Sequence, residues 1–341
     1  MNISIREVAK KAETSTATVS HVINKTRFVS EELTNRVKVA ILELGYQPNE
    51  IARGLRRGGS KTIGLILPDN SNPFFAELAR YITDIGFEND FSVILCNSNE
   101  DLDREAIFIN TLVAKQVEGI IFIASHASSN HSGILKSRNI PSVVIDRDIS
   151  VAIGDVVLVN NEQGGYQATN YLIQLGHRKI GCISGPSTLT PSADRVKGYK
   201  RALQEAKIKS RREYIHVGNF LPKSGDIAMS LLLALNDRPT AVFVCNDMMA
   251  IGAKHRIELA SLRVPEDISI VGFDDILFAS TMTPALTTIA QPVKEMAVKA
   301  TSLLIDRIQN GRSKSDMKRI VLDTHLVIRN SCRILETTKI T

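Results

Sequence analysis

From Thr62 onward, apolar runs of strand length alternate with helical patterns at spacings of about 20 to 35 residues, and the pattern restarts near residue 160. Thr62–Leu67, Ser92–Cys96, Gly119–Ala124, Ser142–Ile145 and Val156–Val159 form a first set of predicted strands. Lys179–Ile183, Tyr214–Val217, Ala241–Val244 and Ile268–Gly272 form a second, with Thr287–Ala290, Ile320–Leu322 and His325–Ile328 left to complete the sheets. Runs such as GIIFIA, and AVFVCN up to its final Asn246, are continuously apolar rather than alternating. Strands of that kind, interleaved with helices, belong to parallel sheets covered on both faces, so the expectation is two doubly wound α/β lobes.

The first 61 residues read differently. They hold 11 Lys/Arg and 6 Asp/Glu, so +5 of the net +6 lies there, while the other 280 residues are nearly neutral. Ser4-Ile5-Arg6-Glu7 has the capping-box form, Ser15 and Ser30 are placed to cap two further helices, and Gly45 ends the last one. Ile5, Val8, Ala9, Ala12, Val19, Val22, Ile23, Leu33, Val37, Ala40 and Ile41 give each helix one apolar face. Burying Val19, Val22 and Ile23 turns Thr16, Ala17, Ser20 and His21 outward. A small polar face of this kind suits base edges in a DNA major groove, and the charge favours that reading over an ordinary solvated face.

After Gln47-Pro48, Asn49 can cap a helix of at most two turns before Gly58-Gly59. So short a helix is marginal alone in water and needs something to hold it. Arg53, Arg56, Arg57 and Lys61 suit a phosphate surface, and Leu55 is placed as a minor-groove wedge; a plain linker with a buried leucine is the competing reading.

In open α/β sheets ligands bind beyond the carboxyl ends of the strands. There the chain places Asn72, Phe74 and Phe75, then Asp146 and Arg147, then Asn246 and Asp247, then Asp274 and Asp275, joined by Arg195 and Gln291. Rings that stack on apolar sugar faces, with carboxylates, amides and guanidiniums that bracket hydroxyls, make a carbohydrate set. Taken singly, Asn72 and Asp274 could be helix caps, the phenylalanines core, and Arg195 a surface partner of Asp194. His177 reads as a turn residue. His126 and His131 alone make no metal site, and the four scattered cysteines suggest buried, reduced thiols. No GxSxG, GxxxxGK[ST], HExxH or strand-borne GxGxxG is present, so no catalysis is expected. No apolar stretch approaches a membrane span and the N-terminus lacks the apolar run of a signal peptide, so a cytoplasmic location is expected.

The segments SIREVAKKAETSTATVSHVIN and ELGYQPNEIARGL, followed by IGLILPD, NPFF, QLGHRKI, RVKGY, CNDMMAIGA, VPEDISIVGFDD and TPALTTIAQP, strongly resemble the LacI family of bacterial transcription regulators across nearly the whole chain. One departure is Glu13-Thr14, where the family usually has Gly or Asn followed by Val. The resemblance implies an N-terminal all-α helix-turn-helix head (1–46), a hinge helix (47–60) and a periplasmic-binding-protein-like core of two doubly wound lobes (61–341). Lobe 1 would take about 61–160 and 292–322, and lobe 2 about 161–291 and 323–341.

It further implies that Ser15, Thr16, Ala17, Thr18, Ser20, His21 and Asn24 face DNA, with Leu55 and Arg56 at the hinge, in a homodimer on a palindromic operator. Within the family the cleft set Asn72, Phe74, Phe75, Asp146, Arg147, Arg195, Phe220, Asn246, Asp274 and Gln291 resembles that of ribose repressors. The expected function is therefore a repressor released from its operator by a small sugar effector, D-ribose, without a cofactor. The alternatives are a purine-type corepressor or a phosphocarrier-protein effector, and a sugar receptor or sugar enzyme with an incidental basic head.

Overall fold

The computed structural model describes residues 3–46, 59–125, 132–149, 154–311 and 317–335. It divides into two compact units, Met1–Ser60 and Lys61–Thr341. The expected hinge helix, with Arg53, Leu55, Arg56 and Arg57, lies outside the described residues, as do His126 and His131.

The first unit packs α1 (Ile5–Lys11), α2 (Thr16–Asn24) and α3 (Glu31–Leu44). Its core is Val8, Ala9, Ala12, Val19, Val37 and Ala40, flanked by Ile3, Ile5, Val22, Ile23, Ile41, Leu44 and Tyr46. The capping box at Ser4 and Glu7 is formed in full, and Gly45 adopts the left-handed conformation that closes α3. Ser30 stands at the start of α3 without making a side-chain cap bond.

Glu13 is left-handed at φ 47°, in a turn where a residue without a Cβ penalty is the easy choice. Arg36 of α3 braces it, donating from Nη2 to Ala12 O at 2.8 Å and to the Glu13 carboxylate at 3.2 Å.

The second unit holds two six-stranded sheets. The first contains β1 (Thr62–Leu67), β2 (Ser92–Asn97), β3 (Gly119–Phe122), β4 (Ser142–Ile145), β5 (Asp155–Val159) and β11 (Arg319–Leu322), in the order β11-β5-β4-β3-β1-β2 and parallel throughout. Residues alternate between its two covered faces. Ile63, Leu65 and Leu67 pack with α4 (Pro73–Glu88) and α12 (Val293–Asn310), whereas Ile66 packs on the other side with Ile109 and Leu112 of α5 (Leu102–Ala114). A short α6 (Ser132–Ser137) precedes β4.

The second sheet runs β12-β10-β9-β8-β6-β7, built from β6 (Ile180–Ser184), β7 (Ile215–Val217), β8 (Ala241–Val244), β9 (Ser269–Asp274), β10 (Thr287–Ala290) and β12 (His325–Val327). Only β12 is antiparallel to its neighbour, β10. Its helices are α7 (Asn161–Gln174), α8 (Thr190–Glu205), α9 (Pro222–Leu233), α10 (Asp247–Leu259) and α11 (Leu277–Thr281).

In each sheet the strand order reverses beside its first strand, at β1/β3 and at β6/β8, which opens a crevice at the carboxyl ends. His177 lies in the connection between α7 and β6, where the sequence places it, but it is buried there. It is 1% exposed, with Nδ1 paired to Thr240 Oγ1 and Nε2 to Ser269 Oγ and Arg333 O, which ties the C-terminal segment to the base of the second sheet.

Candidate functional site

A cavity of about 530 Å³, within the usual range for small-molecule sites, opens at the carboxyl ends of both sheets. All ten cleft residues expected from the sequence line it.

Asn72 follows β1 and caps α4 by accepting from Phe74 N at 3.1 Å, so the cap reading and the pocket reading hold together. Phe74 and Phe75 are likewise both core and wall: 3% and 6% exposed, with ring centroids 5.1 Å apart in an edge-on pair. Asn246 caps α10 through Met249 N and donates from Nδ2 to Phe220 O at 3.1 Å. Phe220 is left-handed at φ 67°, and a Cβ on Gly185 would come within 2.2 Å of its ring. That glycine lets the ring form a wall.

The charged groups are buried. Arg195 is 3% exposed and has no surface bond to Asp194; its Nε donates to Asn161 Oδ1 at 2.8 Å and its Nη1 to Cys245 O at 2.6 Å, and Nη1 lies 3.6 Å from Asp274 Oδ1. Its guanidinium also stacks 3.6 Å from the Phe273 ring centroid. Asp274 ends β9 rather than capping a helix, and Gln291 donates to it at 2.8 Å. Arg147 is held by Glu100 through two bonds of 2.6 and 2.8 Å and by Ala124 O at 3.0 Å.

Burial pushes the Asp146 carboxyl up from the ordinary range, against the pull of Arg147. Burial likewise raises Asp274 to about 7, opposed by Arg195. Asp146 Oδ1 and Gln291 Oε1 are buried with no hydrogen-bond partner in the protein. Such acceptors are costly unless a donor reaches them.

Two residues grouped with this set lie elsewhere. Asp247 is fully buried behind the wall, accepting from Thr288 Oγ1 at 2.6 Å and Ile276 N at 3.0 Å, and Asp275 pairs with Arg329 at 2.7 Å. Sequence reading missed Glu100, Asp69 and Asn161. Glu100 follows β2 like the others follow their strands, so its position was the available signal.

In the head, Ser15, Thr16 and Ala17 are exposed, and Thr18, Ser20, His21 and Asn24 are half-buried on α2. Ser15 Oγ accepts from Thr18 N at 3.0 Å, His21 Nδ1 pairs with Thr26 Oγ1 at 2.8 Å, and Asn24 Nδ2 donates back to Ser20 O at 2.8 Å. These bonds fix the rotamers of the outward face. Among the described residues no helix is long and apolar enough to cross a membrane, and no group of His, Cys, Asp or Glu could hold a metal.

A helix-turn-helix head followed by a two-lobed core with a buried polar pocket defines a ligand-sensing DNA-binding regulator. Residues 4–49 match the bacterial regulatory proteins of the lacI family, and residues 169–332 match a periplasmic binding protein-like domain. The HTH-type transcriptional repressor PurR of Proteus mirabilis is 42% identical, over 96% of both chains. The chain therefore belongs to the LacI family and is a DNA-binding repressor of that family.

Among solved structures, the Lac repressor dimer bound to operator and the anti-inducer ONPF matches with TM-score 0.85 and 26% identity, over 98% of this chain and 100% of that one. A LacI family regulator from Enterococcus faecium with bound ribose matches with TM-score 0.73 and 32% identity, over 81% of this chain and 100% of that one.

Proposed function

We propose that this repressor senses a small neutral sugar, D-ribose, and leaves its operator when the sugar binds. The observation that carries this reading is the pair of buried acceptors, Asp146 Oδ1 and Gln291 Oε1, in a cavity where carboxylates, amides and guanidiniums converge from both lobes. A sugar ring offers hydroxyl donors in several directions and an apolar face for Phe74, Phe75 and Phe220. A flat heterobase offers a few donors confined to one plane. The ribose-bound Enterococcus regulator supports the same reading.

The purine-type corepressor is the second reading, and on whole-chain likeness it is the better supported of the two, because PurR repressors are about 40% identical to this chain over more than nine-tenths of their length. Calorimetry of the full chain with D-ribose and with purine bases separates them. Heat with ribose alone supports the sugar; heat with a purine alone removes it and leaves DNA binding untouched.

On this reading α2 enters the major groove with Ser15, Thr16, Ala17, Thr18, Ser20, His21 and Asn24, while the hinge carrying Leu55 and Arg56 folds onto DNA. The protein works in the cytoplasm as a homodimer without catalysis. Exposed Ile227 and Leu231 on α9 and Leu277 and Phe278 on α11 supply apolar surface for a second copy. Sugar binding shifts the lobes so that the hinges separate, and by linkage operator DNA weakens sugar binding by the same factor.

A further inference from the structure

Arg147 and Arg195 are the cationic side chains that line the cavity among the described residues, against four carboxylates, Asp69, Glu100, Asp146 and Asp274. Both guanidiniums are already engaged. Arg195 is held by Asn161, Cys245 O and its neighbour Asp274. Arg147, 3% exposed, gives Nη1 and Nη2 to the two oxygens of Glu100, the fork-to-fork geometry that an arginine would otherwise offer to a phosphate.

Glu100 is placed for this with care. It and Asn99 are consecutive left-handed residues at φ 59° and 55°, a conformation disfavoured for non-glycine residues that persists only where the surroundings hold it. Asn97 Nδ2 supports the turn by donating to Asn99 Oδ1 at 2.6 Å. The Glu100 side chain is 42% exposed at the cavity wall, so it is not needed to fill the core.

We propose that Glu100 is a selectivity residue that occupies the phosphate-binding fork of Arg147 and so restricts the cavity to neutral sugars, excluding phosphorylated ones. This rests on the sugar reading above. A sugar phosphate entering the cavity must displace Glu100 from Arg147 and sit beside the displaced carboxylate. A neutral sugar needs neither, because its hydroxyls donate to the acceptors already present.

The test is calorimetry of the full-length wild type, Glu100→Gln and Glu100→Asp with D-ribose and D-ribose 5-phosphate, with thermal melting to establish that each variant folds. Wild type is expected to prefer ribose strongly. Glu100→Gln lowers that preference by roughly 10- to 100-fold, the worth of a charged hydrogen bond, mainly through tighter binding of the phosphate. Glu100→Asp retains discrimination.

Equal wild-type affinity for both sugars overturns the proposal while leaving the sugar reading in place. So does a Glu100→Gln variant that loses affinity for both in proportion, which is the signature of a residue that only orients Arg147. Binding of purine bases with neither sugar bound overturns the sugar reading itself, and the selectivity role with it.

Discussion

Arg195 Nη1 lies 3.6 Å from Asp274 Oδ1, with both side chains about 4% exposed, joining α8 to the end of β9 in the wall of the cavity. Arg195→Ala leaves Asp274 without its cation and Cys245 O without its donor. Removing one partner of a buried pair costs about 3 kcal/mol, softened here because Asp274 can take up a proton. The variant is expected to bind operator normally and to ignore ribose in gel shifts; normal release by ribose would remove Arg195 from the site.

The raised Asp274 carboxyl makes pH a probe. An unfolded aspartate titrates near 3.8, whereas Asp274 in the folded core titrates near 7. Between those values the folded chain holds a proton that the unfolded chain has lost, so this group's contribution to stability falls as pH rises through the window. Sugar hydroxyls that donate to the carboxylate lower its pKa in the complex. Ribose affinity should therefore rise from pH 5 to about 7 and then level off. Asp274→Asn should flatten the profile, and an unchanged slope in that variant would assign the titration elsewhere.

Glu13 in the left-handed turn of the head predicts a gain from Asn, which tolerates that conformation better. The Arg36 bond to Ala12 O survives the change, and the exposed Arg36–Glu13 pair is worth little. Glu13→Asn should stabilise the head by about 0.5 to 1 kcal/mol, slowing hydrogen exchange of the buried Val8 and Val37 amides by roughly two- to fivefold. Faster exchange would mean that the carboxylate matters more than the backbone.

Leu55→Gly tests the hinge. If the proposed hinge forms on DNA, the change removes both its helix-favouring residue and its wedge, so operator affinity should drop at least about tenfold while ribose affinity is kept. Unchanged operator binding would leave Leu55 without a role on DNA.

The strands were legible because buried parallel strands are apolar on both faces; Thr62–Leu67 and Ala241–Val244 need no tertiary information to be recognised. Most pocket residues were legible for a topological reason, since they follow strands; Arg195 lies within α8, and Phe220 came only from the family resemblance. Glu100 escaped although its place after β2 was a signal, because its carboxylate reaches Arg147 only through the left-handed turn at Asn99 and Glu100, which the residue types there do not announce. His177 escaped because its three partners, Thr240, Ser269 and Arg333, are 63 to 156 residues away in the chain. Asp247 was grouped with the pocket because it adjoins Asn246, but one step into α10 turns its side chain toward Thr288 and away from the cavity.

Titration of operator DNA with the full chain, in the presence and absence of D-ribose, tests the central claim most directly. Ribose should weaken operator binding, and operator should weaken ribose binding by the same factor. Tighter operator binding in the presence of a purine base, with ribose having no effect, would contradict it.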